Sequence, residues 1–311
     1  MTVVGGGARL GIDEVPSRVR RAIEEILDSP VVAAESQSGG FSPGLAARLV
    51  LADGRRAFAK AVGTERNPDS PGMHRREAAV LGALPRGLPV PALLGSYDDG
   101  DWVALVIEDV DGTPPAEPWR PHELARVVEA MAALAADLTP SPIAAPPMVE
   151  LDTSQFRGWR SLAAARSLAE PLGAEVVARL DEFAAIEATW TAAAAGDALV
   201  HCDLRADNIL LTPERVVFVD WPHARIGAPW LDLLLMLPSA AATGTDPEQV
   251  WTAYPPARAA DPEAVTTMLV ALTGFFLHQS VLPPPPNLER VRAFQRWQGE
   301  AALRWVLARL R

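Results

Sequence analysis

The first hundred residues change from a helical to an alternating apolar pattern. Apolar residues recur every three or four positions over 15–27, which predicts an amphipathic helix. Three short runs rich in Val, Ala and Leu follow between 31 and 62, and turn-forming Gly, Ser and Pro separate them, so they predict three antiparallel strands. A helix over 74–84 and a strand ending near Ile107 complete a small β-rich domain, which we assign to residues 1–110.

The remainder of the chain is dominated by helical spacing. Ala and Leu recur at helical periodicity over 121–196 and again from 247 to the C-terminus. Between these regions, the segment NILLTPERVVFVD contains two apolar runs that flank a Thr-Pro-Glu turn, which predicts a β-hairpin. We therefore predict an α+β protein with a second, mainly helical domain over 111–311, and we expect this domain to carry the hairpin.

Composition excludes several classes of protein. Hydrophobic residues make up 49% of the chain and charged residues 22%, which is typical of a folded globular protein. The net charge of −11 argues against a nucleic-acid partner, since backbone phosphates are bound by clustered Lys and Arg. No apolar stretch of about 18 residues and no signal peptide are evident, so we expect a cytoplasmic protein without a membrane partner. The single cysteine, Cys202, excludes an internal disulfide, and the oligomeric state stays open.

Among the basic residues one position differs from all others. Of the 28 Lys and Arg residues, Lys60 is the only lysine. Arg and Lys replace each other on most solvated surfaces, but not where a compact point charge must reach a phosphate. The position that kept lysine is therefore a candidate phosphate-binding site, and it lies on the third predicted strand.

The segment LVHCDLRADNILLTPERVVFVDW carries the clearest chemistry. If the hairpin pairs 209–211 with 216–219, Asn208 precedes its first strand and Asp220 follows its second, so both lie at its open end. Directly opposed strand residues have Cβ atoms about 5 Å apart, and carboxylate and amide oxygens are ligands that Mg²⁺ accepts. Asp203 lies five residues before Asn208 and brings a second carboxylate to this region.

His201, Asp203 and Asn208 form the pattern H-x-D-x-x-x-x-N, which is followed by an apolar hairpin and Asp220. This arrangement resembles the catalytic segment of protein kinases and of the aminoglycoside phosphotransferase family. The resemblance implies a protein-kinase-like two-lobed fold, with a small antiparallel β-sheet lobe and a larger, mainly helical lobe. It also implies that Asp203 accepts the proton of the acceptor hydroxyl and that Asn208 and Asp220 hold Mg²⁺.

The same resemblance assigns a nucleotide site to the first domain. In this fold a lysine on the third strand binds the α- and β-phosphates and pairs with a helix glutamate, and these roles fall to Lys60 and Glu77. The loop QSGGFSPG would cover the phosphates with backbone N–H groups, with Gly39 and Gly40 allowing close approach. The implied cofactors are ATP or GTP, together with Mg²⁺.

Two further segments take their expected roles from the resemblance. EDVDG falls where the kinase-like fold links its lobes and offers backbone groups to adenine, so we expect Glu108 and Val110 to contact the base. Asp232 resembles an aspartate that opens the next helix, where it could cap the helix and support the catalytic loop.

The residues after Asp220 favour the small-molecule branch of the family. Asp-Trp-Pro stands in place of Asp-Phe-Gly, only 11 residues separate Asp220 from Asp232, and no Ala-Pro-Glu motif follows, so the activation loop of a protein kinase is not expected. We interpret the chain as an ATP-dependent O-phosphotransferase that moves the γ-phosphate onto a hydroxyl of a small molecule, such as an aminoglycoside or another antibiotic. Choline, homoserine or fructosamine as acceptor, and a catalytically silent nucleotide-binding module, remain alternatives. Acceptor contacts are expected from 121–196 and 247–311.

Overall fold

The computed structural model describes residues 9–37, 44–150, 155–285 and 290–311. The chain divides into two compact units. The N-terminal unit consists of the described part of Val4–Pro115 together with Ala206–His223, and the helical unit contains Ala116–Arg205 and Ala224–Arg311. The segment 206–223 thus groups with the N-terminal unit, whereas the sequence analysis assigned it to the second domain.

A six-stranded sheet forms the centre of the N-terminal unit. Its strands are β1 (Arg9–Leu10), β2 (Val31–Ser36), β3 (Gly44–Leu51), β4 (Arg56–Gly63), β5 (Leu93–Asp98) and β6 (Trp102–Ile107). The order is β1-β3-β4-β6-β5, and β2 also pairs with β3. The pairings are antiparallel except that of β1, which runs parallel to β3. The three predicted antiparallel strands are confirmed as β2, β3 and β4, while β1 and β5 were not predicted.

Two helices pack on this sheet. The helix α1 (Ser17–Leu27) buries Val19 and Ile23 in a cluster with the sheet residues Leu49 and Ala59. Burying side chains of this size contributes about 1.5–3 kcal/mol each, which explains the helical apolar spacing of α1. The second helix, α2 (Ser70–Ala83), begins four residues before the predicted start, because Pro71 lies in the first turn, where a missing N–H costs no hydrogen bond.

The predicted hairpin forms from β8 (Ile209–Leu211) and β9 (Val216–Phe218). Long-range backbone hydrogen bonds fix it within the N-terminal unit. Leu211 exchanges two such bonds with Thr113, at 2.8 and 3.1 Å, and the Phe218 N–H donates to the Pro89 carbonyl at 2.8 Å. These bonds join residues about 100 or more positions apart in the chain, so the local sequence pattern carried no signal for this grouping.

The helical unit is built mainly from α-helices, as predicted. They are α3 (Pro121–Asp137), α4 (Gly158–Ala164), α5 (Ala174–Ala178), α6 (Leu180–Glu187), α7 (Trp190–Ala193), α8 (Leu231–Ala241), α9 (Pro247–Ala253), α10 (Pro255–Arg258), α11 (Pro262–Ser280) and α12 (Val291–Arg309). An unpredicted two-stranded sheet pairs β7 (Ala198–Val200) with β10 (Arg225–Gly227). Among the helices of the described residues, none combines the length and the apolar character that spanning a membrane requires.

Close packing in the helical unit depends on glycine and on one buried carboxylate. Gly158 lies against the backbone of Gly274, so a Cβ at Gly158 would overlap the Gly274 carbonyl. Beside it, the Trp159 indole N–H donates to the Val270 carbonyl at 2.7 Å, and the Trp159 backbone N–H donates to the fully buried Glu187 carboxylate at 2.9 Å. These bonds satisfy polar groups that would otherwise be buried without a partner.

Candidate active site

Strand β4 brings Lys60, the only lysine of the chain, to helix α2. Lys60 lies between the fully buried residues Ala59 and Ala61, and strand alternation places its side chain on the other face of the sheet. Its ammonium nitrogen lies 2.8 Å and 2.9 Å from the two carboxylate oxygens of Glu77, whose side chain is buried. The predicted pairing of Lys60 with Glu77 is therefore observed.

The Lys60 ammonium has a second carboxylate partner. It donates to Oδ1 of Asp220 at 2.8 Å, although Asp220 lies 160 residues further along the chain. Burial alone would lower the pKa of Lys60, but the negative charges of Asp220 and Glu77 outweigh burial, and the pKa is raised above its ordinary value. Lys60 consequently remains a fixed positive charge throughout the physiological pH range.

The backbone of Asp220 adopts an uncommon conformation. Its φ angle is +69°, in the left-handed region that non-glycine residues seldom occupy, although Asp tolerates it better than most. The next residue, Trp221, is fully buried, and its indole N–H donates to the Phe218 carbonyl at 2.9 Å. This anchor holds the turn that directs the Asp220 carboxylate to Lys60. Residues with such backbone strain cluster at functional sites.

Asn208 lies across the hairpin end from the same turn. Ile209 pairs with Phe218, and the Val219 N–H donates to the Asn208 carbonyl at 3.0 Å, so Asn208 is opposed to Val219, with Asp220 one residue beyond. The strand β9 ends at Phe218, one residue before the predicted end. Both residues that the sequence assigned to a metal thus occupy one end of the hairpin.

The chemistry of this pair suits Mg²⁺. Among the described residues, no group of three or more His, Cys, Asp and Glu side chains is arranged to hold a metal. Mg²⁺ does not require such a group, because it keeps several waters and is commonly bound by one or two protein oxygens together with substrate phosphates. An Asp carboxylate beside an Asn amide provides this kind of partial ligand set.

A cavity of about 440 Å³ in the N-terminal unit joins these residues. Its volume lies in the range of small-molecule and cofactor sites. The cavity is lined by Lys60, Asn208 and Asp220, and also by Glu108 and Val110. The charged groups and the segment predicted to contact adenine therefore border the same space.

Some backbone groups of the predicted adenine-binding segment already form hydrogen bonds within the protein. The Glu108 N–H donates to the Ala92 carbonyl at 2.9 Å, and the Val110 carbonyl accepts a bond from Arg48 at 3.0 Å. The Glu108 carbonyl and the Val110 N–H have no hydrogen-bond partner among the described residues. One acceptor and one donor, two residues apart, are left to bind the edge of a base.

The glycines predicted to cover the phosphates, Gly39 and Gly40, lie outside the described residues. The first described residue after them is Gly44, which has a φ angle of +144°. A Cβ at this position would overlap the Ala61 carbonyl oxygen. The start of β3 therefore requires glycine both for its backbone angle and for close packing against β4.

In the helical unit, Asp232 holds the loop that carries Asp203. The Asp232 carboxylate accepts the backbone N–H groups of His201 at 2.9 Å and of Cys202 at 2.8 Å. Burial raises the pKa of Asp232 to about 6, although these two hydrogen bonds lower it. Trp230 rather than Asp232 is the N-cap of α8, so the expected support of the loop is confirmed and the expected cap is not seen.

The loop residues next to Asp203 fix its backbone. His201 is fully buried, and its Nδ1 accepts the Asp203 N–H at 3.2 Å. Cys202 has a left-handed φ of +67°, and burial raises the pKa of its thiol, so it does not resemble an activated nucleophile. The Asp203 carboxylate accepts a bond from Arg205 at 2.9 Å and keeps 30% of its side chain exposed. A held backbone with an accessible carboxylate suits a proton acceptor.

Comparison with known proteins agrees with this geometry. A sequence model described as the phosphotransferase enzyme family matches residues 46–263, more than two thirds of the chain. The chain belongs to this phosphotransferase family. The match confirms the predicted family resemblance, and the matched region contains Lys60, Glu77, Asp203, Asn208 and Asp220.

The chain also resembles individual members of the aminoglycoside phosphotransferase group over part of its length. An aminoglycoside 3'-phosphotransferase from Streptomyces fradiae is 34% identical over 145 residues, which is 41% of this chain. The match spans about half of that relative, 48% of its length.

Two solved structures resemble the fold. A choline/ethanolamine kinase family protein from Mesorhizobium loti has a TM-score of 0.55 at 18% identity, covering 94% of each chain. An aminoglycoside phosphotransferase from Streptomyces rimosus, in complex with ADP and streptomycin, has a TM-score of 0.50 at 19% identity, covering 82% of this chain and 97% of its own. These likenesses confirm the protein-kinase-like fold.

Three basic residues that line the cavity escaped the sequence analysis: Arg9, Arg48 and His74. Arg48 could have been noticed in the sequence, because it is a charged residue within the apolar strand β3. His74 lies three residues before Glu77 on α2, a spacing that puts both on one side of the helix. Burial and the charge of Lys60 lower the pKa of His74 to about 4, so it is neutral at neutral pH. Arg9 lies on a two-residue strand, which is too short to show a period.

Proposed function

We propose that the chain is an ATP- and Mg²⁺-dependent O-phosphotransferase that moves the γ-phosphate onto a hydroxyl of a small molecule. The observation that carries this proposal is the Lys60 ammonium, held between Glu77 and Asp220 in a cavity that Asn208 also lines. A lysine in such a clamp is suited to phosphate oxygens, because it is a compact charge with a fixed position.

The cavity can bind a nucleotide along its length. The free Glu108 carbonyl would accept from the adenine amino group, and the free Val110 N–H would donate to a ring nitrogen. Lys60 would contact the α- and β-phosphates. Asn208 and Asp220 would hold Mg²⁺, which neutralises phosphate charge when bound. Gly39 and Gly40 remain proposed phosphate-loop positions.

Asp203 would serve as proton acceptor. In the reaction the acceptor hydroxyl oxygen forms a bond to the γ-phosphorus, the bond from that phosphorus to the β–γ bridging oxygen breaks, and ADP leaves. The hydroxyl proton passes to the Asp203 carboxylate. Arg205 donates to this carboxylate at 2.9 Å, which orients it before the acceptor binds.

We propose an aminoglycoside or a related antibiotic as the acceptor. The similarity to the Streptomyces fradiae 3'-phosphotransferase supports this class, and phosphorylation of such a compound would be a route to antibiotic resistance. The net charge of −11 favours the approach of a polycation. Choline, homoserine or fructosamine as acceptor is the alternative.

A nucleotide-consumption screen tests the proposal. The purified chain is incubated with Mg²⁺ and ATP, and separately with GTP, against aminoglycosides, peptide antibiotics, amino alcohols and sugars. We expect acceptor-dependent release of ADP or GDP with at least one class, and its loss in Asp203→Asn. Binding of nucleotide without turnover of any acceptor would instead support the catalytically silent module.

A further inference from the structure

A second cationic side chain reaches the nucleotide cavity from the N-terminal strand. Arg9 pairs with Gly44 and Leu10 with Leu45 in the parallel ladder between β1 and β3. Leu10 is buried in the hydrophobic core, and because side chains alternate along a strand, Arg9 lies on the opposite face. Arg9 lines the same cavity as Lys60 and Asp220.

Two other cations line the same cavity. Lys60 is held by Glu77 and Asp220. Arg48 donates to the Val110 carbonyl at 3.0 Å and lies 3.4 Å from the Asp109 carboxylate, within the segment proposed to contact the base. Arg9 is thus a third cation of this cavity, and the charge of Asp220, which pairs with Lys60, also acts on Arg9.

Arg9 interacts electrostatically with two other groups that line the cavity, Asp220 and His74. Burial lowers the pKa of Arg9, and the negative charge of Asp220 opposes this effect. The pKa of His74, which also lines the cavity, is lowered by the charges of both Lys60 and Arg9. The two cations therefore act on the same group from within one cavity, where burial strengthens their interaction with an anion.

We propose that Arg9 is a second phosphate-binding residue of the nucleotide cavity, donating to phosphate oxygens of the bound nucleotide beside Lys60. The inference rests on the proposed function. A triphosphate carries about four negative charges at neutral pH, and a planar guanidinium can donate two parallel bonds to one phosphate, which an ammonium cannot. Because β1 is held to β3 next to Gly44, the strand pairing sets the position of this donor.

The test compares nucleotides that differ only in phosphate number. Dissociation constants for adenosine, ADP and ATP are measured by calorimetry, with Mg²⁺, for the wild type, Arg9→Gln and the matched control Arg18→Gln. Arg18 lies on α1, pairs with Asp99 and does not line the cavity. We expect Arg9→Gln to weaken ADP and ATP at least about tenfold and to leave adenosine unchanged, since a hydrogen bond to a charged group has about this effect.

Three other outcomes would overturn the inference. Arg9→Gln that binds ATP as the wild type does would show that Arg9 does not contact phosphate. Equal weakening of adenosine and ATP would show that Arg9 only supports the fold of the cavity. If the wild type binds neither ADP nor ATP, the proposed function fails and the inference fails with it, whereas the first two results leave the proposed function intact.

Discussion

The two regions that carry the candidate catalytic residues are held in different ways. In the N-terminal unit, charged side chains fix one another: Lys60 lies between Glu77 and Asp220. In the helical unit, the loop around Asp203 is fixed through its backbone, which donates to Asp232 and to the His201 ring. The first arrangement can exchange partners when a charged ligand arrives. The second fixes the backbone that carries Asp203 through bonds that involve no side-chain atom of Asp203, which suits the proposed proton acceptor.

The largest expected effect is a loss of turnover without a loss of nucleotide affinity, on substitution of Asp203 in the helical unit. Asp203→Asn should lower turnover by about a thousandfold, because an amide cannot accept the hydroxyl proton, and should leave nucleotide affinity unchanged. Steady-state kinetics and nucleotide titration measure the two quantities. Asp137→Asn, at the exposed end of α3, is the control. Turnover at the wild-type rate would remove Asp203 from its role.

The next effect concerns the metal pair in the N-terminal unit. Asp220→Ala should weaken Mg²⁺-dependent nucleotide binding roughly a hundredfold, and Asn208→Ala should weaken it less, because an amide carries no formal charge. Titrating nucleotide at fixed Mg²⁺ concentrations gives the order. Equal affinity of the wild type with and without Mg²⁺ would contradict the assignment.

A smaller effect tests why lysine is retained at position 60. Lys60→Arg preserves the charge but replaces a compact ammonium by a broad planar group between two carboxylates, so turnover should fall at least about tenfold. Initial rates at saturating acceptor measure this. A rate equal to that of the wild type would mean that any cation suffices at this position.

Sequence reasoning was most successful where chemistry restricts residue choice. The single lysine, the H-x-D-x-x-x-x-N spacing and Asp220 each have few substitutes, so Lys60 and the hairpin could be found from the pattern, and Glu77 from the family resemblance that the pattern carries. The strands β1 and β5 were missed. β1 has only two residues. β5 alternates between half-buried and exposed positions, but Gly95 on one face and the exposed Leu94 on the other hide this alternation in the sequence. Long-range contacts such as Thr113 with Leu211 have no local signal.

The carboxylate that holds the Asp203 loop predicts a pH effect on stability. Asp232 has a pKa of about 6 in the folded chain and an ordinary value of 3.8, so the folded state binds more protons between these values. Stability should therefore fall as pH rises from about 4 to 6.

Asp232→Asn removes this titration. The stability difference between wild type and variant, measured by urea unfolding, should be smaller at about pH 7.5 than at about pH 4.5, by on the order of 1–2 kcal/mol. Asp98→Asn is the control, because Arg75 lowers the pKa of Asp98 to about 2, outside this window. A difference that is constant or grows with pH would contradict the assignment.

The smallest expected effect concerns acceptor charge. If the acceptor is a polycation, its KM should rise several-fold between low and physiological ionic strength, because salt screens attraction by the negative protein over a Debye length of about 8 Å. A neutral acceptor with a salt-independent KM, and no turnover of any aminoglycoside, would exclude the aminoglycoside while leaving the phosphate chemistry unaffected.

The central claim is transfer of the terminal phosphoryl group to a hydroxyl. The most direct measurement incubates the wild type with Mg²⁺, ATP labelled in its γ-phosphate and each acceptor that stimulates ADP release, and then identifies the labelled product by mass spectrometry. We predict one labelled phosphoryl group on an acceptor oxygen, and none with Asp203→Asn. Label found only as inorganic phosphate, with none on the acceptor, would show hydrolysis instead and would contradict the account.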